Sequence, residues 1–236
     1  MEVNHMEDRD QIIREVRQEF TNSLSQRFTR EQEKKLENYR QQNAYVRQGE
    51  TLFTGSSLME GFPITEYCLN EGLPIAYNRG IGGYTTDTFL AAIDTVLLDL
   101  KPRKLFLNIG TNDIAARTDG EDWFDHLSRN ERKICEIIRR SLPETTVYLM
   151  AYYPVNSQAI LAGNPSVPIV RTNENIARAN AMVAALADEF GFHYIDVNDG
   201  LKDENGELLM DHTADGIHFD SAAYRTVFDR LRLYME

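Results

Sequence analysis

From residue 50 onward the chain alternates short apolar runs with longer stretches whose apolar positions recur every three to four residues. The first kind of run reads as a buried strand, the second as an amphipathic helix. Strands are expected over 52–55, 73–78, 105–109, 147–151 and 193–197, and helices over 86–100, 122–141, 171–190 and 221–234. Leu105-Phe106-Leu107-Asn108-Ile109 is almost wholly apolar, the pattern of a strand covered on both faces. Pro143 closes the helix over 122–141, and an irregular segment with Pro154, Pro165 and Pro168 follows the fourth strand. Strands alternating with helices imply an α/β fold, a parallel sheet with helices on both faces joined by right-handed crossovers. In such sheets chemistry sits beyond the carboxyl ends of the strands.

The first 48 residues differ from the rest. Residues 8–46 are charged and free of Gly and Pro, and Ile12, Val16, Phe20, Leu24 and Phe28 follow one another four apart. This predicts a helical extension (1–48) ahead of the main domain (49–236). A step of four drifts by about 40° per repeat against 3.6 residues per turn, so one straight stripe is not sustained. The cluster Thr21-Asn22-Ser23 is expected to break the helix, and Thr29 with Gln32 has the form of a capping box opening a second one. An amphipathic arm covering the main domain is the favoured reading, and a homodimer formed through these helices is the alternative.

Composition narrows the classes. The chain has 236 residues, 42% hydrophobic and 26% charged, enough for one large α/β domain with a full core. A net charge of −12 provides no basic field to meet phosphates, which argues against nucleic-acid and anionic-membrane partners. No apolar run reaches the roughly 20 residues of a membrane span. Met1 to Asp8 is acidic and lacks an apolar core, so no secretion signal is read and a cytoplasmic location is expected. Cys68 and Cys135 have no metal or redox spacing and are expected to be reduced core residues. His5, His126, His193 and His212 likewise lie in no ligand spacing, so neither metal nor cofactor is expected.

The segment Thr54-Gly55-Ser56-Ser57-Leu58 ends the first strand and opens a helix. A serine there can be a nucleophile at a helix N-terminus, although the same residues also make a plain turn and cap. Asp215-Gly216-Ile217-His218 puts a carboxylate three residues before an imidazole, which suits a base and its orienting partner, or a helix cap beside a surface histidine. Asn112 follows Gly110-Thr111 directly after a buried strand, where an amide can donate to an oxyanion or form an Asn-Asp turn with Asp113. Asn78-Arg79-Gly80-Ile81-Gly82-Gly83-Tyr84 can expose a backbone N–H to substrate or be a tight turn. It lacks the lysine of a phosphate loop.

Together, Phe53-Thr54-Gly55-Ser56-Ser57-Leu58, Asn78-Arg79-Gly80-Ile81-Gly82-Gly83, Ile109-Gly110-Thr111-Asn112-Asp113 and Asp215-Gly216-Ile217-His218 resemble four blocks of the SGNH, or GDSL-type, esterases and lipases, in order and spacing. The resemblance covers residue 50 to the C-terminus. It implies a three-layer α/β/α flavodoxin-like fold with five parallel strands in order 2-1-3-4-5. It further implies Ser57 as nucleophile, His218 as base, Asp215 as its partner, and an oxyanion hole of the Ser57 and Gly83 N–H groups with the Asn112 side chain. Ser56 stands where the family commonly has Asp, and Tyr84 where an acidic residue is frequent. The α/β-hydrolase elbow fits less well, since it would need glycine at Met59.

The second and third blocks are most similar to those of the platelet-activating-factor acetylhydrolase and carbohydrate acetylesterase branch, which implies a small-molecule ester with a short acyl group such as acetyl. A longer-chain lysophospholipase or thioesterase, and a catalytically silent sugar-binding or scaffold relative, are the competing readings. Tyr84, Trp123, Tyr152 and Tyr153 are the candidate substrate-binding aromatics, with core packing the favoured role for the last three.

Overall fold

The computed structural model describes residues 2–115, 119–163 and 170–235, and for residues 2–21 and Leu24 the backbone alone. The expected stripe at Ile12, Val16, Phe20 and Leu24, and Pro165 and Pro168, therefore lie outside the described side chains and residues. Five parallel strands run β1 (Thr51–Gly55), β2 (Ala76–Asn78), β3 (Lys104–Asn108), β4 (Thr146–Met150) and β5 (His193–Ile195), in the order β2-β1-β3-β4-β5. The helices are α1 (Glu2–Asn43), α2 (Ser57–Glu60), α3 (Ile64–Glu71), α4 (Thr86–Ala91), α5 (Ile93–Val96), α6 (Trp123–Ser141), α7 (Ser157–Gly163), α8 (Asn173–Phe190) and α9 (Ser221–Leu231).

Side chains of a strand alternate between faces, and here each face has its own core. Leu52, Leu105, Leu107, Val147 and Leu149 join residues of α4, α6 and α8, including Phe89, Ile134 and Val183. Phe53, Phe106 and Met150 join residues of α3 and α9, including Ile64, Val227 and Phe228. Three layers result, α on β on α. On the second face the register aligns Phe53, Phe106, Tyr148 and His193. Their rings form a stack across four strands with centroids 4.5, 4.6 and 5.1 Å apart. Each fully buried Leu or Phe in these cores contributes about 1.5–3 kcal/mol.

Helices α6, α8 and α9 are capped by Asp122, Thr172 and Asp220, whose side chains accept backbone N–H groups of the first turn. The expected helix over 86–100 divides into α4, α5 and a 3-10 turn at Leu98–Leu100, and ends at Lys101, left-handed with φ 42° ahead of Pro102. The expected strand over 73–78 shortens to Ala76–Asn78.

The N-terminal extension is corrected. No break occurs at Thr21-Asn22-Ser23, and α1 runs unbroken over 42 residues. Thr29 does not cap a second helix, because its hydroxyl donates to the Ser25 carbonyl one turn back at 3.0 Å, which leaves the helical backbone intact. The C-terminal part of α1 lies on the main domain. Asn43 Nδ2 donates to Thr95 O at 2.8 Å, Tyr39 OH to Gly80 O at 3.0 Å, and the Arg79 guanidinium sits 4.9 Å from the Tyr39 ring centre. No helix among the described residues is long and apolar enough to cross a membrane. Cys68 and Cys135 are free and buried.

Candidate active site

Strand β1 ends in a glycine that its neighbour demands. Gly55 has φ 153°, and a Cβ there would lie 1.9 Å from the Asn108 carbonyl oxygen of β3. This close approach turns the chain sharply at Ser56, whose N–H bonds Asn108 O at 3.3 Å, and starts α2 at Ser57. Ser56 is buried, while Ser57 is partly exposed at the carboxyl edge of the sheet.

The C-terminal loop brings Asp215 and His218 to the same edge. His218 Nε2 stands 2.9 Å from Ser57 Oγ, and His218 Nδ1 stands 2.6 Å from Asp215 Oδ2. The other Asp215 oxygen accepts the backbone N–H groups of Ile217 at 2.9 Å and His218 at 2.8 Å. Burial acts to raise the Asp215 pKa, but the hydrogen bonds from the His218 ring and these two N–H groups prevail and hold it at about 2. Asp215 does not cap the final helix. Asp220 does so, accepting the Ala223 N–H at 2.8 Å. Hydroxyl, imidazole and carboxylate are thus aligned in the order that lets a base take a serine proton.

Three groups are named from the sequence as oxyanion donors. Neither the Ser57 N–H nor the Gly83 N–H has a protein acceptor among the described residues. Asn112 gives one amide proton to Tyr84 O at 2.9 Å, which leaves the second proton of its NH₂ group free to donate. Its carbonyl oxygen accepts Arg171 Nη2 at 2.7 Å. Burial pushes the Arg171 guanidinium below the usual arginine range, while the Asp113 and Asp215 carboxylates act the other way.

The loop after β2 is held on every side. Asn78 donates to Met59 O at 2.6 Å and Phe62 O at 3.0 Å and accepts the Gly80 N–H at 2.8 Å. The Ile81 N–H donates to Gly55 O at 3.1 Å. Gly82 lies beside Ser57, since a Cβ on it would be 3.8 Å from Ser57 Cβ. A recess of about 300 Å³ next to it is lined by Phe28, Glu31, Gln32 and Lys35 of α1 with Glu60, Ile81 and Gly82.

Sequence reasoning missed Arg171, Gln32 and Glu60. A basic residue just ahead of the α8 cap opposes the helix dipole, and that was the available signal for Arg171. Of the aromatics, Tyr84 is buried with its carbonyl on Asn112, and Trp123 is half-buried at the start of α6. Tyr152 and Tyr153 are not brought to the cleft. Tyr152 is buried with its hydroxyl on Glu131 Oε1 at 2.7 Å, and Tyr153 is buried with its ring 4.9 Å from that of Phe219.

Residues 53–226 match the GDSL-like Lipase/Acylhydrolase family. Among solved structures, a candidate platelet activating factor from Streptococcus pneumonia is 30% identical, covers 92% of this chain and 98% of its own, and superposes with a TM-score of 0.80. A candidate acylhydrolase from Bacteroides fragilis is 27% identical over 84% of this chain and 94% of its own, with a TM-score of 0.69. Axe2, an acetylxylan esterase from Geobacillus stearothermophilus, shares the fold at 18% identity, 79% and 94% coverage and a TM-score of 0.59. Among curated proteins, the uncharacterized lipoprotein YqeF of Bacillus subtilis is 48% identical over 44 residues. That match spans 19% of this chain and 18% of the relative's length. With the family match covering most of the chain, it belongs to the GDSL-like lipase/acylhydrolase family and is a carboxylic ester hydrolase.

Proposed function

We propose that the protein is a cofactor-independent serine esterase in which Ser57 attacks the ester carbonyl, His218 takes its proton and Asp215 orients and stabilises the imidazolium. The observation that carries this reading is the continuous contact from Ser57 Oγ through His218 to Asp215, at 2.9 and 2.6 Å. The tetrahedral oxyanion is received by the Ser57 and Gly83 N–H groups and the free amide proton of Asn112. His218 then returns its proton to the leaving alcohol. A water attacks the acyl-Ser57 ester with the same histidine as base, and the acid departs.

The preferred substrate carries a short acyl group, acetyl first. Support comes from the likeness of the second and third sequence blocks to acetylhydrolases and acetylesterases, and from a shared fold with an acetylxylan esterase. Tyr84, with its carbonyl on Asn112, flanks the acyl side of the hole, and Trp123 is assigned to the outer wall. Tyr152 and Tyr153 have no substrate contact in this reading.

The test is hydrolysis of p-nitrophenyl acetate, butyrate and octanoate by the wild type and Ser57→Ala. Turnover greatest on acetate and lost in Ser57→Ala is the expected result. A preference for octanoate would overturn the short acyl pocket, and turnover surviving in Ser57→Ala would overturn the nucleophile.

A further inference from the structure

Three side chains of α1 meet the loop that carries Gly83. Gln32 Nε2 donates to the Gly82 carbonyl at 2.7 Å. Glu60 accepts the Gly82 N–H and is itself paired with Lys35 of α1. The Phe28 ring occupies the space a side chain at residue 83 would need, its nearest atom 2.3 Å from a Cβ built on Gly83. Phe28 is otherwise half exposed, so this contact is not part of a core.

The carbonyl oxygen of Gly82 and the N–H of Gly83 belong to one planar peptide unit, and in a trans peptide they point in opposite directions. Holding the oxygen therefore aims the N–H. A Gly-Gly link needs this more than any other, because both flanking residues have access to positive φ and the unit between them can turn over at little steric cost. Gly83 already has φ 70°. Turned over, the unit would present a carbonyl dipole, instead of an N–H, to a developing negative charge.

We propose that α1 is a positioning element of the esterase site, and that Gln32, backed by Phe28 and by the Lys35–Glu60 pair, locks the Gly82–Gly83 peptide with its N–H toward the oxyanion. The proposal rests on the Ser57 reading above. Gln32 never touches substrate. It acts by fixing the donor before charge develops, and a hole contributes to rate only to the extent that its donors need no reorganisation. The N-terminal extension is then part of the catalytic unit and not only a cover for it.

The experiment uses the full chain and p-nitrophenyl acetate, comparing wild type, Ser57→Ala, Gln32→Ala and Gln32→Glu, with rates expressed per folded molecule from far-UV circular dichroism. Gln32→Ala is expected to lower kcat by about 10-fold, below the about 10²–10³ of deleting a hole donor, with KM within about two-fold. Gln32→Glu has the same length and shape but no N–H in its carboxylate, and should be at least as slow. Wild-type kcat in either variant would overturn the clamp. So would a Gln32→Glu variant faster than Gln32→Ala, since that would make the contact one of packing. Turnover surviving in Ser57→Ala would instead remove the nucleophile reading, whatever the Gln32 variants do.

Discussion

Arg171 donates to the carbonyl oxygen of Asn112 across 2.7 Å, and this one contact decides which way the Asn112 amide faces. With the oxygen occupied by a guanidinium, the NH₂ points to the other side, where one proton meets Tyr84 O and the second is the one assigned above, as a proposal, to the oxyanion. Asn112→Ala is expected to lower kcat by about 10²–10³-fold on p-nitrophenyl acetate. Arg171→Ala should cost about 10-fold in wild-type Asn112 and almost nothing once Asn112 is alanine, because the two act in series. Additive losses in the double variant would show that Arg171 acts independently of the amide.

Ser56 and Ser57 are adjacent but not equivalent. The Ser56 backbone is tied to Asn108 O and its side chain is buried, whereas Ser57 Oγ faces His218. Ser56→Ala should keep acetate hydrolysis within several-fold of wild type. Loss of turnover in Ser56→Ala with retention in Ser57→Ala would exchange their roles.

Asp215→Asn should leave the loop folded and lower kcat by about 10³–10⁴-fold, because an amide favours the wrong histidine tautomer and cannot stabilise the imidazolium. The Asp215 carboxyl is held at about 2, below its ordinary unfolded value of about 3.9. Its stabilising contribution is therefore complete above about pH 4 and lost as pH falls through about 2. Thermal unfolding between pH 5 and 2 should show a steeper acid decline in wild type than in Asp215→Asn, and parallel curves would contradict the assignment.

Glu131 is the opposite case. Burial first, and the nearby Asp113 carboxylate after it, push its carboxyl up to about 8 against the opposing hydrogen bond from Tyr152. The folded state then holds a proton that the unfolded state has released above about pH 4.3. Stability from this group is full below that pH and declines as pH rises toward 8. Glu131→Gln, neutral throughout, should remove this slope. Urea unfolding of both proteins from pH 5 to 8 tests it, and an unchanged pH dependence in the variant would place the titration elsewhere.

Much of the fold was legible because the strands are short apolar runs and the long helices α6, α8 and α9 carry a periodic stripe and a cap. The Asp-x-x-His spacing and the serine after β1 were legible for a related reason, since both are short local patterns. What escaped depends on contacts remote in sequence. Gln32 meets Gly82 across 50 residues and Arg171 meets Asn112 across 59, and the one local pattern that included Gln32, the capping box with Thr29, points to a helix start and not to the loop after β2. The break expected in α1 failed because Thr, Asn and Ser oppose a helix only weakly. Thr29 found a carbonyl one turn back instead of a cap. Tyr152 and Tyr153 follow β4, where strand-end position suggests a cleft, but the chain runs inward there and Glu131 takes the Tyr152 hydroxyl.

The separation between Ser57 and His218 has a kinetic meaning. They touch across 161 positions of sequence, and β1 must pair with β3 at the middle of the sheet, whose Lys104 lies opposite Thr51. Contacts of this length are closed against a large loop entropy, so such topologies fold slowly compared with bundles of local helices. In the proposed reading the growing chain carries Ser57 well before it carries His218, 161 positions later. On that reading hydrolytic competence waits for the loop at 215–218, and a chain arrested before Asp215 carries the serine without its proposed base.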